Sequence, residues 1–310
     1  MTDLLAIGAT ALELTPDGSA RLETAPRLGV AVTGPESNAA VAASRLGVES
    51  AWLSKLPESP LGRRVAGELE RHGVETAVCW GGDRQGLTFA ERAKPPRADV
   101  RIDDRAGAAV ASLTTDELPT GDVCGAGMLY TSAATLALSE TLAGTVEELF
   151  RAFDGRTALA LDRSRAVESS AACERTASLL PAIDVLLTSE AGAAALGERG
   201  SPPETAHALA AAHDLDTVVL AREGGGALVW HERTVHEHRP PETEVIDERG
   251  AFDALCGGFL ARRLDGERVD EALAAGVACG ALARTIHEPM PVVTPGEVDD
   301  CVAAMDDETR

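Results

Sequence analysis

Val245-Ile-Asp-Glu-Arg-Gly-Ala-Phe-Asp-Ala-Leu-Cys-Gly-Gly-Phe-Leu260 is the stretch from which the rest of the chain is read. Glu244–Ile246 is predicted as a short strand, Gly250 as a turn, and the Ala-, Leu- and Gly-rich residues from Ala251 as a helix. The first N–H groups of a helix lack partners inside it, and its dipole puts partial positive charge there. Gly250, Ala251 and Phe252 therefore form a candidate anion hole, suited to a phosphate. Asp253, in the first turn, is placed to take a proton from a hydroxyl. An anion hole beside a carboxylate base is what phosphoryl transfer to an alcohol requires. Without its context, Asp253 would more often be an ordinary helix-start charge.

Outward from this segment, short apolar runs alternate with Ala-rich amphipathic ones. Leu4–Ile7, Ser50–Ser54, Asp122–Cys124, Ala158–Leu161, Val185–Leu187 and Val218–Leu220 are predicted strands. Asn38–Leu46, Leu61–His72, Ser132–Leu138, Val167–Leu180, Ala191–Leu196 and Pro203–His213 are predicted helices. The alternation predicts an α/β fold: a mostly parallel central sheet with helices on both faces. Two segments break the pattern. Ala11–Glu23, with Pro16-Asp17-Gly18, reads as a hairpin, and Leu87–Ala106 as extended chain around Pro95-Pro96. They are read as a small β-lid on one domain spanning residues 1–310.

Composition narrows the partners. Of 310 residues, 50 are acidic and 28 basic, a net charge of −22, which argues against nucleic acid and anionic membrane surfaces as partners. Lys55 and Lys94 are the only lysines. An acidic, Lys-poor chain suits a cytoplasm of molar salt, where a Debye length of about 3 Å screens carboxylate repulsion. Six scattered cysteines without a C-x-x-C pair, and no signal-like start, point to free thiols in a reduced cytoplasm.

Several common sites are missing. Neither lysine stands in a P-loop, and Gly125-Ala-Gly127-Met-Leu-Tyr130 lacks the third glycine of a dinucleotide fingerprint. His236-Glu237-His238 would put two imidazoles on one strand face without enough further ligands for a metal, so a solvated strand is expected and no metal site is assigned. Cys256 is expected as a small buried hydrophobe.

Asp247-Glu-Arg-Gly250-Ala251-Phe252-Asp253 resembles the D-T-x-G-A-G-D signature of the ribokinase-like (PfkB) sugar kinases. Thr33-Gly34-Pro-Glu36-Ser37-Asn38, running on to Arg45-Leu46-Gly47, resembles that family's sugar-binding signature. The E-S-N wording and Asp104-Arg105-Ala-Gly are similar to the 2-keto-3-deoxygluconate kinase branch. The resemblance implies a ribokinase-like fold and phosphorylation of a sugar or sugar acid, with ATP and Mg²⁺ as cofactors. It assigns Asp253 as base, Gly34 and Asn38 to the sugar, and Arg105 and Arg165 to a substrate carboxylate, as guanidinium chemistry favours. It also places nucleotide contacts at Ser189, Arg222, Gly224 and Gly226, and implies a homodimer or higher assembly through the lid.

Departures cluster on the phosphate side. Phe252 replaces a glycine, Glu248 a threonine, and Ser189-Glu190-Ala191-Gly192 stands where the family has N-x-x-E. They raise an alternative: a weak or inert paralogue that binds a sugar or nucleotide.

Overall fold

Leu4–Ile7 (β1) has every side chain buried, as an unalternating apolar run must when both sheet faces are covered. The computed structural model describes residues 2–118, 125–162 and 170–308. The strands that follow are β2 (Ala11–Pro16), β3 (Leu28–Thr33), β4 (Ser50–Leu56), β5 (Glu75–Trp80), β6 (Leu87–Glu91) and β7 (Val100–Asp104). Then come β8 (Met128–Ser132), β9 (Arg156–Leu161), β10 (Val185–Ser189), β11 (Thr217–Ala221), β12 (Ala227–His231) and β13 (Thr234–His238). The larger sheet has nine strands in the order β13-β12-β11-β10-β9-β8-β1-β4-β5. Pairings from β5 to β11 are parallel, and β12 and β13 close that edge antiparallel.

The helices are α1 (Pro35–Arg45), α2 (Pro60–Arg71), α3 (Ala133–Leu136), α4 (Glu140–Ala152) and α5 (Ser170–Leu179). They continue with α6 (Glu190–Ala195), α7 (Pro202–His213), α8 (Ala251–Leu264), α9 (Val269–Ala283) and α10 (Pro295–Glu308). Alternate residues of β1 feed two cores. Leu4 and Ala6 pack with α1, α8 and α9, and Leu5 and Ile7 with α4, α5 and α7. The expected mostly parallel sheet with helices on both faces is therefore present.

The smaller sheet runs β3-β2-β6-β7. The hairpin expected within Ala11–Glu23 is drawn differently. Strand β2 ends at Pro16, and its antiparallel partner is Leu28–Thr33, in register from Ala11↔Thr33 to Pro16↔Leu28. Leu28, Val30 and Val32 supply the period-two pattern that Ser19–Pro26 lacks. The extended chain around Pro95-Pro96 folds as expected into β6 and β7.

Two further expectations are corrected. Glu244–Ile246 is not a strand: the Ile246 and Asp247 N–H groups donate to the Arg284 carbonyl, at 2.8 and 3.0 Å, so no sheet neighbour is engaged. Val245 and Ile246 are exposed accordingly. Met128–Ser132 is a fully buried central strand between β1 and β9, and the helix expected from Ser132 is shortened to Ala133–Leu136. The expected strand Asp122–Cys124 lies outside the described residues. Among the described residues no helix is long and apolar enough to cross a membrane.

Candidate active site

Two helix starts converge beneath the smaller sheet. Helices α1 and α8 approach closely because Gly257 has no side chain: a Cβ there would stand 2.4 Å from the Ala39 carbonyl oxygen. The α8 start is likewise set by glycine. Gly250 has φ +72°, and a Cβ on it would meet the Pro289 carbonyl oxygen at 2.1 Å. At the α1 start, a Cβ on Gly34 would lie 2.3 Å from the Ala9 carbonyl oxygen. Both helix starts therefore border one space, α1 through Gly34 and Pro35 and α8 through Gly250, Phe252 and Asp253.

That space is a cavity of about 510 Å³. Asp253, Gly250 and Phe252 line one side, Gly34 another, and Arg101, Asp103 and Arg105 the lid. Asn38 Nδ2 donates to Asp253 Oδ2 at 2.8 Å and is also within 3.1 Å of Thr33 Oγ1. Burial raises the Asp253 carboxyl from 3.8 to about 7. The Asn38 hydrogen bond and Arg101 oppose that rise, whereas Asp162 and Glu36 add to it. Glu36 is itself fully buried and accepts from Ser132 N at 2.9 Å and Ser132 Oγ at 2.5 Å. Burial pushes Glu36 up to about 6 despite those bonds. Asp253 thus lines the cavity with a carboxyl raised by burial, and Glu36 is a second raised carboxyl buried outside the lining.

Of the three proposed anion-hole residues, Ala251 turns its N–H to the Glu248 carbonyl at 3.3 Å. The N–H groups of Phe252 and Asp253 have no acceptor among the described residues. Phe252 does two things at once: its half-buried ring packs on the core and also forms cavity wall. Cys256, one turn further along α8, is fully buried and its thiol is pushed up by burial, as expected of a small apolar residue.

Arg101, Asp103 and Arg105 share one face at the end of β7, by the period-two rule. Asp103 Oδ1 accepts from Thr88 Oγ1 at 3.1 Å and Arg101 Nε at 3.2 Å, and Arg105 Nε lies at 3.7 Å. The two cations hold the Asp103 carboxyl below its ordinary value against the effect of burial. Burial lowers the Arg105 guanidinium, and Asp103 offsets part of that. Sequence reading found Arg105 and missed Arg101 and Asp103; the alternation itself was the available signal.

Nucleotide-side residues lie elsewhere. Ser189 caps α6, its hydroxyl accepting from Gly192 N at 3.2 Å. Arg222 pairs with Glu237, its N–H donates to the Gly226 carbonyl at 2.8 Å, and Gly224 has φ +85°. None of Ser189, Arg222, Gly224 and Gly226 lines the Asp253 cavity, although Ala191 does. At Gly192 a Cβ would meet the Leu161 carbonyl oxygen at 2.3 Å, so the family's acidic side chain does not fit there. Arg165 lies outside the described residues.

Comparisons with known proteins agree with this geometry. Residues 1–294 match the model of the pfkB family carbohydrate kinases. The chain is 46% identical over 303 residues to a 2-dehydro-3-deoxygalactonokinase of Haloferax volcanii, covering 96% of this chain and 95% of that protein. It is 26% identical to a 2-dehydro-3-deoxygluconokinase of Thermoproteus tenax, covering 98% of this chain and 95% of the relative. A 2-dehydro-3-deoxygluconokinase structure from Thermotoga maritima superposes with a TM-score of 0.91 at 22% identity, covering 98% of this chain and 100% of the other. A putative ribokinase II from E. coli in complex with ATP and Mg²⁺ gives 0.87 at 19% identity, covering 98% of this chain and 99% of that one. The fold is ribokinase-like, and the chain belongs to the pfkB family of carbohydrate kinases.

Proposed function

We propose that this carbohydrate kinase transfers the γ-phosphoryl group of ATP to a primary hydroxyl of a 2-keto-3-deoxy sugar acid. The observation that carries the reading is the Asn38–Asp253 hydrogen bond of 2.8 Å at the start of α8. It holds a carboxylate beside unpaired amides. Asp253 takes the proton as the hydroxyl oxygen attacks phosphorus; the new O–P bond forms while the bond to ADP breaks. The Phe252 and Asp253 N–H groups, with Gly250 leaving the approach open, receive charge on the phosphoryl oxygens. A carboxyl near 7 suits the task, because a base works best with a pKa near the operating pH.

Arg105 receives the acceptor's carboxylate from the lid, and Gly34 and Asn38 border the sugar. Arg165 is assigned the second carboxylate contact on resemblance alone. Ser189, Arg222, Gly224 and Gly226 are assigned to the nucleotide, outside the acceptor cavity. The unpaired amides at the α8 start fit a phosphate, whereas position 192 has no room for an acidic metal partner. Mg²⁺ carried on the triphosphate would supply charge neutralisation. The whole chain acts as one unit, and exposed Val30, Val100 and Ile102 on the lid fit the expected pairing of lids in a homodimer; light scattering in molar KCl tests that.

The inert-paralogue reading is favoured by the Phe252 ring on the cavity wall. An ADP-release assay over a panel of sugars and sugar acids in high salt decides between the two. Turnover of a keto-deoxy acid supports the kinase reading. Binding of such an acid without ADP release supports the paralogue.

A further inference from the structure

A second cavity, of about 520 Å³, lies between the lid and the loop that leads into α8. Among the described residues it shares just two lining residues with the Asp253 cavity: Glu13 of β2 and Arg249, next to Gly250. These two are ion-paired to each other. They therefore form the partition between the compartments. The partition is anchored on both sides. The Glu13 side chain is only 1% exposed and also faces Arg101 at 3.5 Å. Arg249 Nε donates to Asp247 Oδ2 at 2.9 Å, and Asp247 is in turn paired with Arg92. Beyond it, Thr15, Ser19, Asp99, Lys94 and His287 give walls of mixed charge and hydroxyl, suited to a polyhydroxy chain rather than an apolar group.

We infer that the Glu13–Arg249 pair is a specificity determinant: it closes the reaction cavity at its lid end and so limits the length of acceptor that can be phosphorylated. Resting on the sugar-acid kinase reading, it assigns to that site a stop at about one six-carbon acid. Removing the Glu13 side chain joins the compartments. A disaccharide acid then extends its second sugar unit through the gap, while its reactive hydroxyl stays at Asp253. Glutamine at this position fills the same space and still accepts from Arg249, so it keeps the partition closed.

The test compares the native chain with Glu13→Ala and Glu13→Gln in molar KCl. Calorimetric binding and ADP release are both measured with 2-keto-3-deoxygluconate and with a disaccharide acid, lactobionate. Glu13→Ala should improve the lactobionate-to-short-acid ratio of binding constants, and of kcat/KM, at least about tenfold, with Glu13→Gln remaining native-like. A ratio unchanged in a folded Glu13→Ala variant overturns the gate, as does equal relaxation in Glu13→Gln. Should Glu13→Ala fail to fold, Glu13→Ser and Glu13→Gly take its place, with the same ratio deciding. Native binding of the short acid without ADP release sinks the kinase reading and leaves the gate to the binding ratios. A native chain that binds lactobionate as tightly as the short acid overturns the gate alone, and one that binds neither acid overturns both.

Discussion

Asn38 and Asp253 are separated by 215 residues in sequence, yet the Asn38 carboxamide donates to Asp253 Oδ2 at 2.8 Å. The bond joins the starts of two helices whose packing is possible only because position 257 carries no side chain. It stabilises the charged form of a carboxyl that burial pushes towards neutrality. The close packing of the two helices thus brings to Asp253 a hydrogen bond that opposes the effect of burial.

Replacing the base separates chemistry from binding. Asp253→Asn should lower kcat by about 10²- to 10⁴-fold, the range expected for loss of a positioned general base. KM for the sugar acid should change little. Steady-state kinetics in molar KCl checks both.

Stability should move in the opposite direction. The folded Asp253 carboxyl is raised to about 7 from 3.8, so between those values the folded chain keeps a proton that the unfolded chain has released. Its contribution to stability is therefore lost as pH rises through that window. Asp253→Asn removes the loss. Because the carboxylate faces an open cavity, the gain above neutral pH should be about 2 kcal/mol, roughly half of what the full shift implies. Denaturant melts at pH 3, pH 5 and pH 8 should show the variant's advantage absent at pH 3, partial at pH 5 and largest at pH 8.

The acid limb of the rate profile reports the same group. Activity should rise with pH towards a plateau above about 7 in the native enzyme, following the Asp253 carboxyl. Asn38→Ala withdraws a hydrogen bond to the charged form, so the limb should move upward by about one unit. A limb unmoved by the substitution would detach Asn38 from the base.

Arg105 is tested by comparing acidic and neutral acceptors. Arg105→Ala should raise KM for a sugar acid about 10- to 100-fold, the value of a hydrogen-bonded ion pair. Neutral sugars should be unaffected, and Arg105→Lys should recover only part of the loss because it cannot bind bidentately.

Position 192 gives a steric prediction. Gly192→Glu restores the family's residue type, but its Cβ would overlap the Leu161 carbonyl oxygen at 2.3 Å. The variant should be destabilised by about 3 kcal/mol, and thermal melting should show this whatever happens to turnover.

How much of this was legible in the sequence depended on the kind of signal. The β1, β10 and β11 runs were readable because a strand covered on both faces is continuously apolar over a length too short for a helix. Strand β8 was hidden because Gly125 to Tyr130 was weighed as a dinucleotide fingerprint and Ser132 as a helix start. Glu244–Ile246 looked like a strand, yet its N–H groups found a helix-end carbonyl instead, a tertiary choice that local pattern does not encode. At the site, Asp253, Gly34 and Asn38 were legible through two signatures. The Glu13–Arg249 partition was not, because it joins positions 236 apart whose pairing depends on how the lid lies over α8.

The central claim is that Asp253 is the base of a sugar-acid kinase. Its most direct test is ADP release by the native chain and by Asp253→Asn, with ATP, Mg²⁺ and 2-keto-3-deoxygluconate or its galactonate epimer in molar KCl. The account predicts steady ADP release by the native chain and a loss of at least about a hundredfold in the variant, with the acid still bound. Full turnover by the folded Asp253→Asn variant, or a native chain that binds the acids and releases no ADP, would contradict it.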